Sequence, residues 1–179
     1  MKNVIKLASL LLLTSLIFIS CNKVKSLADV NFDVTFTADL DCVVPPATLR
    51  DIDGTFNTSV VIDPTSDPDV AKYINNIKNY EILSMTGTIT SISKDCNLVS
   101  ATSSVYNNSS SADWAFANVP LSVGATLNFG NENGQWATVK QILMDGQQFT
   151  VSIQGETDKD DVTFTLQVEI EAKVTILFP

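Results

Sequence analysis

Apolar and polar residues alternate with period two along much of this chain. The longest run lies at its C-terminal end, where Val162, Phe164, Leu166, Val168, Ile170, Ala172, Val174, Ile176 and Phe178 are apolar. Polar residues separate them, and Leu177 is the single exception. A helix would scatter these residues around its circumference, whereas a strand places them on one face. Over 30–40, Phe32, Val34, Phe36, Ala38 and Leu40 alternate in the same way with Asn31, Asp33, Thr35, Thr37 and Asp39. That pattern predicts a second strand with one wet face.

Shorter runs predict strands over 55–62, 81–92, 98–106, 112–119, 125–129 and from 149 to 153. Pro45-Pro46 ends or kinks the segment after the first strand, and Asp53-Gly54 reads as a turn. Gly87 marks a bulge or a close approach. Two segments read as helices instead. Ser66-Asp67-Pro68 is a helix start, followed by Val70, Tyr73, Ile74 and Ile77 at helical spacing. Over 135–144, Trp136, Val139, Ile142 and Leu143 share a face, and Gly146 can terminate the helix. Seven or eight strands with two short helices predict a mainly β chain folded as an antiparallel β-sandwich. A partly open β-barrel is the alternative.

The first residues follow a different rule. Met1 to Lys6 is a short basic start, and 7–19 is apolar apart from Ser9, Thr14 and Ser15. The run is shorter than the ~20 residues a membrane-spanning helix needs, so it reads as a secretory signal over 1–20. The segment Phe18-Ile19-Ser20-Cys21 resembles the lipobox of bacterial lipoproteins. The resemblance covers only the first 21 residues, and Ser20 and Cys21 fit it best. It implies acylation of the Cys21 thiol, cleavage before it, and anchorage to the cell envelope, on the outer membrane. A soluble secreted product cut after Ser26-Leu27-Ala28 is the competing reading. Residues 21–29 then form a lipidated N-terminus and tether, and 30–179 a single domain. Asn22, Lys23, Val24 and Lys25 follow the cysteine where surface-directed lipoproteins of some groups carry acids, which favours a periplasm-facing protein.

Composition narrows the function. The chain has 11 basic and 20 acidic residues and no histidine. Lys2 and Lys6 fall in the signal and every acid follows it, so the mature chain carries −11. Nucleic acid and anionic lipid headgroups are disfavoured partners for such a surface. The lack of histidine removes the commonest general base and zinc ligand and every Ser-His or Cys-His arrangement.

Candidate chemistry is sparse. Cys42 and Cys96 are the only cysteines after Cys21, and they read either as a disulfide, permitted in an oxidising compartment, or as two buried thiols. Asp51-Ile52-Asp53-Gly54 resembles a fragment of a calcium loop but is too short for the twelve-residue pattern. Asp63, Asp67 and Asp69 form a second acidic cluster, and Asp158, Asp160 and Asp161 a third. All three read first as solvated turns, with a calcium site built from two loops left open and no other cofactor or metal expected. Glu169 and Glu171 are two apart on the wet face of the last strand, which any alternating strand produces. Trp114, Phe116 and Trp136 read as core, with an aromatic sugar platform as the alternative.

The expectation is a non-enzymatic envelope module that binds a protein or a glycan, or serves an assembly, with no catalytic residue assigned. The alternative class is a carboxylate-based hydrolase such as a glycosidase. A cleft holding two close acids would favour the hydrolase, and a flat polar sheet face would favour the binding module.

Overall fold

The computed structural model describes residues 29–47 and 54–177. Cys21, the Asp51-to-Asp53 turn and Phe178 lie outside the described residues. Alternation becomes strand where it was expected. β1 (Asp29–Val44) buries Val34, Phe36, Ala38, Leu40, Cys42 and Val44 and exposes the residues between them. β8 (Val162–Leu177) buries its whole apolar series. The two pair antiparallel along all sixteen residues without a slip, Asp29 opposite Leu177 and Val44 opposite Val162. A one-residue slip would turn either apolar face to water, so the alternation itself holds this register.

The other strands are β2 (Thr55–Ile62), β3 (Ile77–Ile92), β4 (Cys96–Tyr106), β5 (Ser111–Leu121), β6 (Thr126–Asn128) and β7 (Phe149–Thr157). They form two four-stranded sheets, ordered β1-β8-β3-β6 and β2-β7-β4-β5. We call these sheet A and sheet B. Each pairing is antiparallel. The pairs β1–β8, β2–β7, β3–β6 and β4–β5 nest one inside the next, as when one long hairpin is wrapped into two sheets. That order is the jelly-roll form of the β-sandwich. The two sheets stay separate, so the barrel alternative does not apply.

Among the described residues two α-helices complete the fold. Asp67 caps α1 (Pro68–Tyr73) by accepting from the backbone N–H of Asp69 and Val70, with Pro68 at the first position. The expected stripe continued to Ile77, but one 3₁₀ turn over Ile74–Asn76 ends the helix and Ile77 opens β3. α2 (Gln135–Met144) has the expected bounds and buries Val139, Ile142 and Leu143. Gly146 follows it at φ 64°, the left-handed conformation that glycine adopts cheaply at a helix end.

Bulges explain where alternation blurs. From Tyr80 onward the core-facing residues of β3, buried or half-buried, run Tyr80, Ile82, Met85, Gly87, Ile89 and Ile92. The register shifts between Ile82 and Ser84 and between Ile89 and Ser91 leave Leu83 and Thr90 as extra, outward residues. Gly87 itself is the close approach and not the bulge. A Cβ there would lie 2.9 Å from the Phe129 ring and 3.0 Å from Leu166 Cδ1.

Candidate functional site

The two outer faces of the sandwich differ in chemistry. Sheet A presents Asp33, Asp39 and Asp41 from β1, Glu169 and Glu171 from β8, and Glu81 from β3, with Lys173 among them. Much of this face is bonded to itself. Gln167 Nε2 donates to Asp39 at 2.9 Å, Thr165 Oγ1 to Asp41 at 2.8 Å and Ser84 Oγ to Glu171 at 2.6 Å. The Glu169 and Glu171 pair therefore sits on an open sheet face, as strand spacing alone produces.

Sheet B is laid out in four outward rows across β2, β7, β4 and β5. The first is Thr55, Glu156, Ser100 and Ala117, and the second is Asn57, Gln154, Thr102 and Ala115. The third is Ser59, Ser152, Ser104 and Asp113, and the fourth is Val61, Thr150, Tyr106 and Ser111. Hydroxyls and amides dominate, and the only charges are Glu156 and Asp113. Asp113 is already engaged, accepting from Ser104 Oγ at 2.6 Å and Ser111 Oγ at 3.0 Å.

The first two rows border a depression of about 630 Å³ that crosses all four strands. Its depth follows from small residues. Ala115 and Ala117 give β5 almost no outward bulk, and Gly155 lets β7 lie tight against β4. A Cβ on Gly155 would stand 2.4 Å from the Ser100 carbonyl oxygen and 2.7 Å from Ala101 Cβ. Among the described residues, the side chains of Asn57, Ser100, Thr102, Gln154 and Glu156 make no hydrogen bond or ion pair. They are exposed, unengaged and gathered on one concave surface.

This depression lies at the end of the sandwich remote from Asp29. Thr157 N–H donates to the Gly54 carbonyl at 2.9 Å, and Asp161 N–H to the Pro45 carbonyl at 3.1 Å, so the first row adjoins the Val44 end of β1. β1 has sixteen residues. At about 3.3 Å per residue its two ends are about 50 Å apart.

The other candidates have structural duties. Cys42 and Cys96 are free thiols, both buried, so the disulfide reading is corrected. Cys42 faces the core from sheet A and Cys96 from the start of β4 in sheet B. Burial, with the Asp41 carboxylate adding to it, pushes the Cys42 thiol up to about 12. Burial also raises the Cys96 thiol, with Asp158 the next cause. Both thiols are thereby kept out of the reactive thiolate form.

The acidic clusters cap and staple. Asp63 accepts from Thr65 N–H at 2.9 Å and Thr65 Oγ1 at 2.6 Å, and these bonds hold its carboxyl below the usual range. Asp158 accepts from the Asn97 backbone and side-chain amides, both at 2.7 Å, and is lowered for the same reason. Among the described residues no three acids, cysteines or histidines gather to hold a metal ion.

The aromatic platform alternative is also corrected. Trp114 is buried, donates its indole N–H to the Gly130 carbonyl at 2.7 Å, and packs edge-on against Phe129 with centroids 5.2 Å apart. Phe116 meets the same ring at 5.3 Å. Trp136 is half-buried on α2 and donates to the Phe129 carbonyl at 2.9 Å.

No known family model and no curated protein matches the chain. Among solved structures it is similar to one of Mud crab tombus-like virus, with 10% identity and a TM-score of 0.34, covering 84% of this chain and 92% of that one. A semi-empty VLP of the giant freshwater prawn Macrobrachium rosenbergii nodavirus gives 11% identity and a TM-score of 0.32, covering 83% of this chain and 96% of that one. Likeness of this strength carries no function to this chain.

The depression was not legible beforehand. Its residues come from three separate stretches of sequence, β2, the β4–β5 hairpin and β7, and each looks like ordinary wet-face filler in its own strand. A run such as Ala115-Phe116-Ala117 in β5 is the faint mark it leaves, since small outward residues are what make room.

Proposed function

We propose that this chain is an exported, lipid-anchored envelope protein, facing the periplasm, whose sandwich binds a partner non-enzymatically through the outer face of sheet B. The observation that carries this reading is the set of unengaged polar side chains around the depression. As exposed groups they are served by solvent, and exchanging it for a ligand's hydroxyls or amides covers a single charge, that of Glu156. Covering sheet A instead would desolvate six carboxylates, a cost that neutral partners cannot offset.

Attachment fits this face. A lipid on Cys21 joined through the tether to Asp29 would place the membrane at one end of β1 and the depression at the other. Among the described residues Glu156 is the one carboxylate bordering the depression, which supports binding over the paired-acid chemistry of a hydrolase.

Hydrogen–deuterium exchange of the mature protein, with and without envelope material, tests the reading. Protection should concentrate on β2, β7 and β4. Protection confined to β1 and β8, or turnover of glycosides or peptides that is lost on Glu156→Gln, would contradict it. Mass spectrometry should show an acylated chain beginning at Cys21, and an unmodified chain beginning at Asp29 would refute the anchor.

A further inference from the structure

The depression on sheet B has two unlike sides, and their difference says what kind of molecule fits it. β2, β7 and β4 contribute Asn57, Gln154, Glu156, Ser100 and Thr102, all polar and unengaged. β5 contributes Ala115 and Ala117, two methyl groups with nothing to hydrogen-bond. We infer that the depression receives a neutral oligosaccharide lying across the strands, with sugar C–H faces on the β5 methyls and sugar hydroxyls toward Asn57, Gln154 and Glu156. This inference rests on the proposed binding role of sheet B.

The polar side of the depression matches sugar chemistry. A sugar hydroxyl both donates and accepts, and so do the Asn57 and Gln154 amides and the Ser100 and Thr102 hydroxyls, so each can be satisfied in either sense. Glu156 accepts only, which suits a hydroxyl donor and repels a carboxylated or phosphorylated ligand. The mature chain's excess of acids adds to that repulsion. Among the described residues a cationic ligand would find one unengaged carboxylate here and a stronger attraction on sheet A. Size agrees as well. Three inter-strand spacings of about 4.8 Å give a floor about 14 Å across, room for a few pyranose rings end to end. The lack of an exposed aromatic ring in these two rows implies weak binding per site, because stacking would add to what the hydrogen bonds supply.

An extended peptide is the rival occupant. It would use its backbone N–H and C=O groups best at a strand edge, whereas this depression lies on the sheet's face and offers side chains only.

The test screens the detergent-solubilised mature protein on an array of neutral, amino and carboxylated oligosaccharides, followed by calorimetry with the best binder. The expected result is binding to neutral members, unchanged between about 0.05 and 0.5 M salt because no charge pair is involved. Gln154→Ala and Asn57→Ala should each weaken it at least tenfold, with thermal melting unchanged. Thr37→Ala on sheet A should leave affinity as it was. Binding restricted to carboxylated members, or lost in high salt, would overturn the ligand class. A neutral peptide that binds where no neutral glycan does, through the same Gln154 and Asn57, would overturn the glycan while keeping the face. Glycan binding indifferent to Gln154→Ala and Asn57→Ala would overturn both.

Discussion

Gly155 on β7 stands opposite Ala101 on β4 so closely that a methyl group on the glycine would lie 2.7 Å from the alanine's own methyl. The same methyl would lie 2.4 Å from the Ser100 carbonyl oxygen, which is backbone and cannot swing aside. Two strands are thereby drawn together under the depression of sheet B. Gly155→Ala should therefore destabilise the domain by about 1–3 kcal/mol through overpacking. Urea unfolding measures it, and an unchanged midpoint would show that β7 and β4 are free to separate.

Val168 lies at the centre of sheet A, opposite Ala38 on one side and Gly87 on the other, and is fully buried. Val168→Asp would leave a carboxylate among apolar side chains with no cation in reach. The expected loss is about 3–5 kcal/mol, that of an uncompensated buried charge. A variant that melts within a few degrees of the parent would contradict the assignment of this face to the core.

Alkaline pH should loosen the fold. The Cys42 thiol is pushed up from 9.0 to about 12 by burial and then by Asp41, and the Tyr80 phenol from 10.0 to about 12 by burial and then by Asp67. Both groups hold their protons more tightly folded than unfolded. Their contribution is full below about pH 9 and is lost as pH rises toward about 12. Urea midpoints should be level up to about pH 8.5 and fall above it, and Cys42→Val should flatten the fall. Tyr80→Phe should flatten it too at little cost at neutral pH, because the buried phenol oxygen has no hydrogen-bond partner among the described residues. A fall just as steep in the double variant would place its cause elsewhere.

Legibility followed the regularity of the strands. β1 and β8 pair for sixteen residues without a bulge, and alternation alone places their faces. β3 and β4 were read more coarsely because Leu83, Thr90 and Val99 each interrupt the period at a register shift. In β5 the left-handed Asn118, at φ 56°, moves the buried set from Trp114 and Phe116 to Val119 and Leu121. Helix ends were legible where a side chain or glycine marks them, as at Asp67 and Gly146. Ile77 was misplaced because helical spacing persists past the point where the backbone turns extended. The disulfide question turned on where two sheets carry their cysteines, which no spacing in sequence encodes. The site was least legible, because a surface made of four strands exists only once the strand order is known.

We propose that sheet B, and not sheet A, is the face that meets a partner. Sedimentation of the mature protein, released from its lipid, with isolated envelopes measures it directly. The parent and a sheet A variant, Thr37→Arg with Gln167→Arg, should cosediment alike. A sheet B variant, Gln154→Arg with Thr102→Arg, should remain in the supernatant while keeping the parent's melting temperature. Retention of the sheet B variant alongside loss of the sheet A variant would place the partner on sheet A instead.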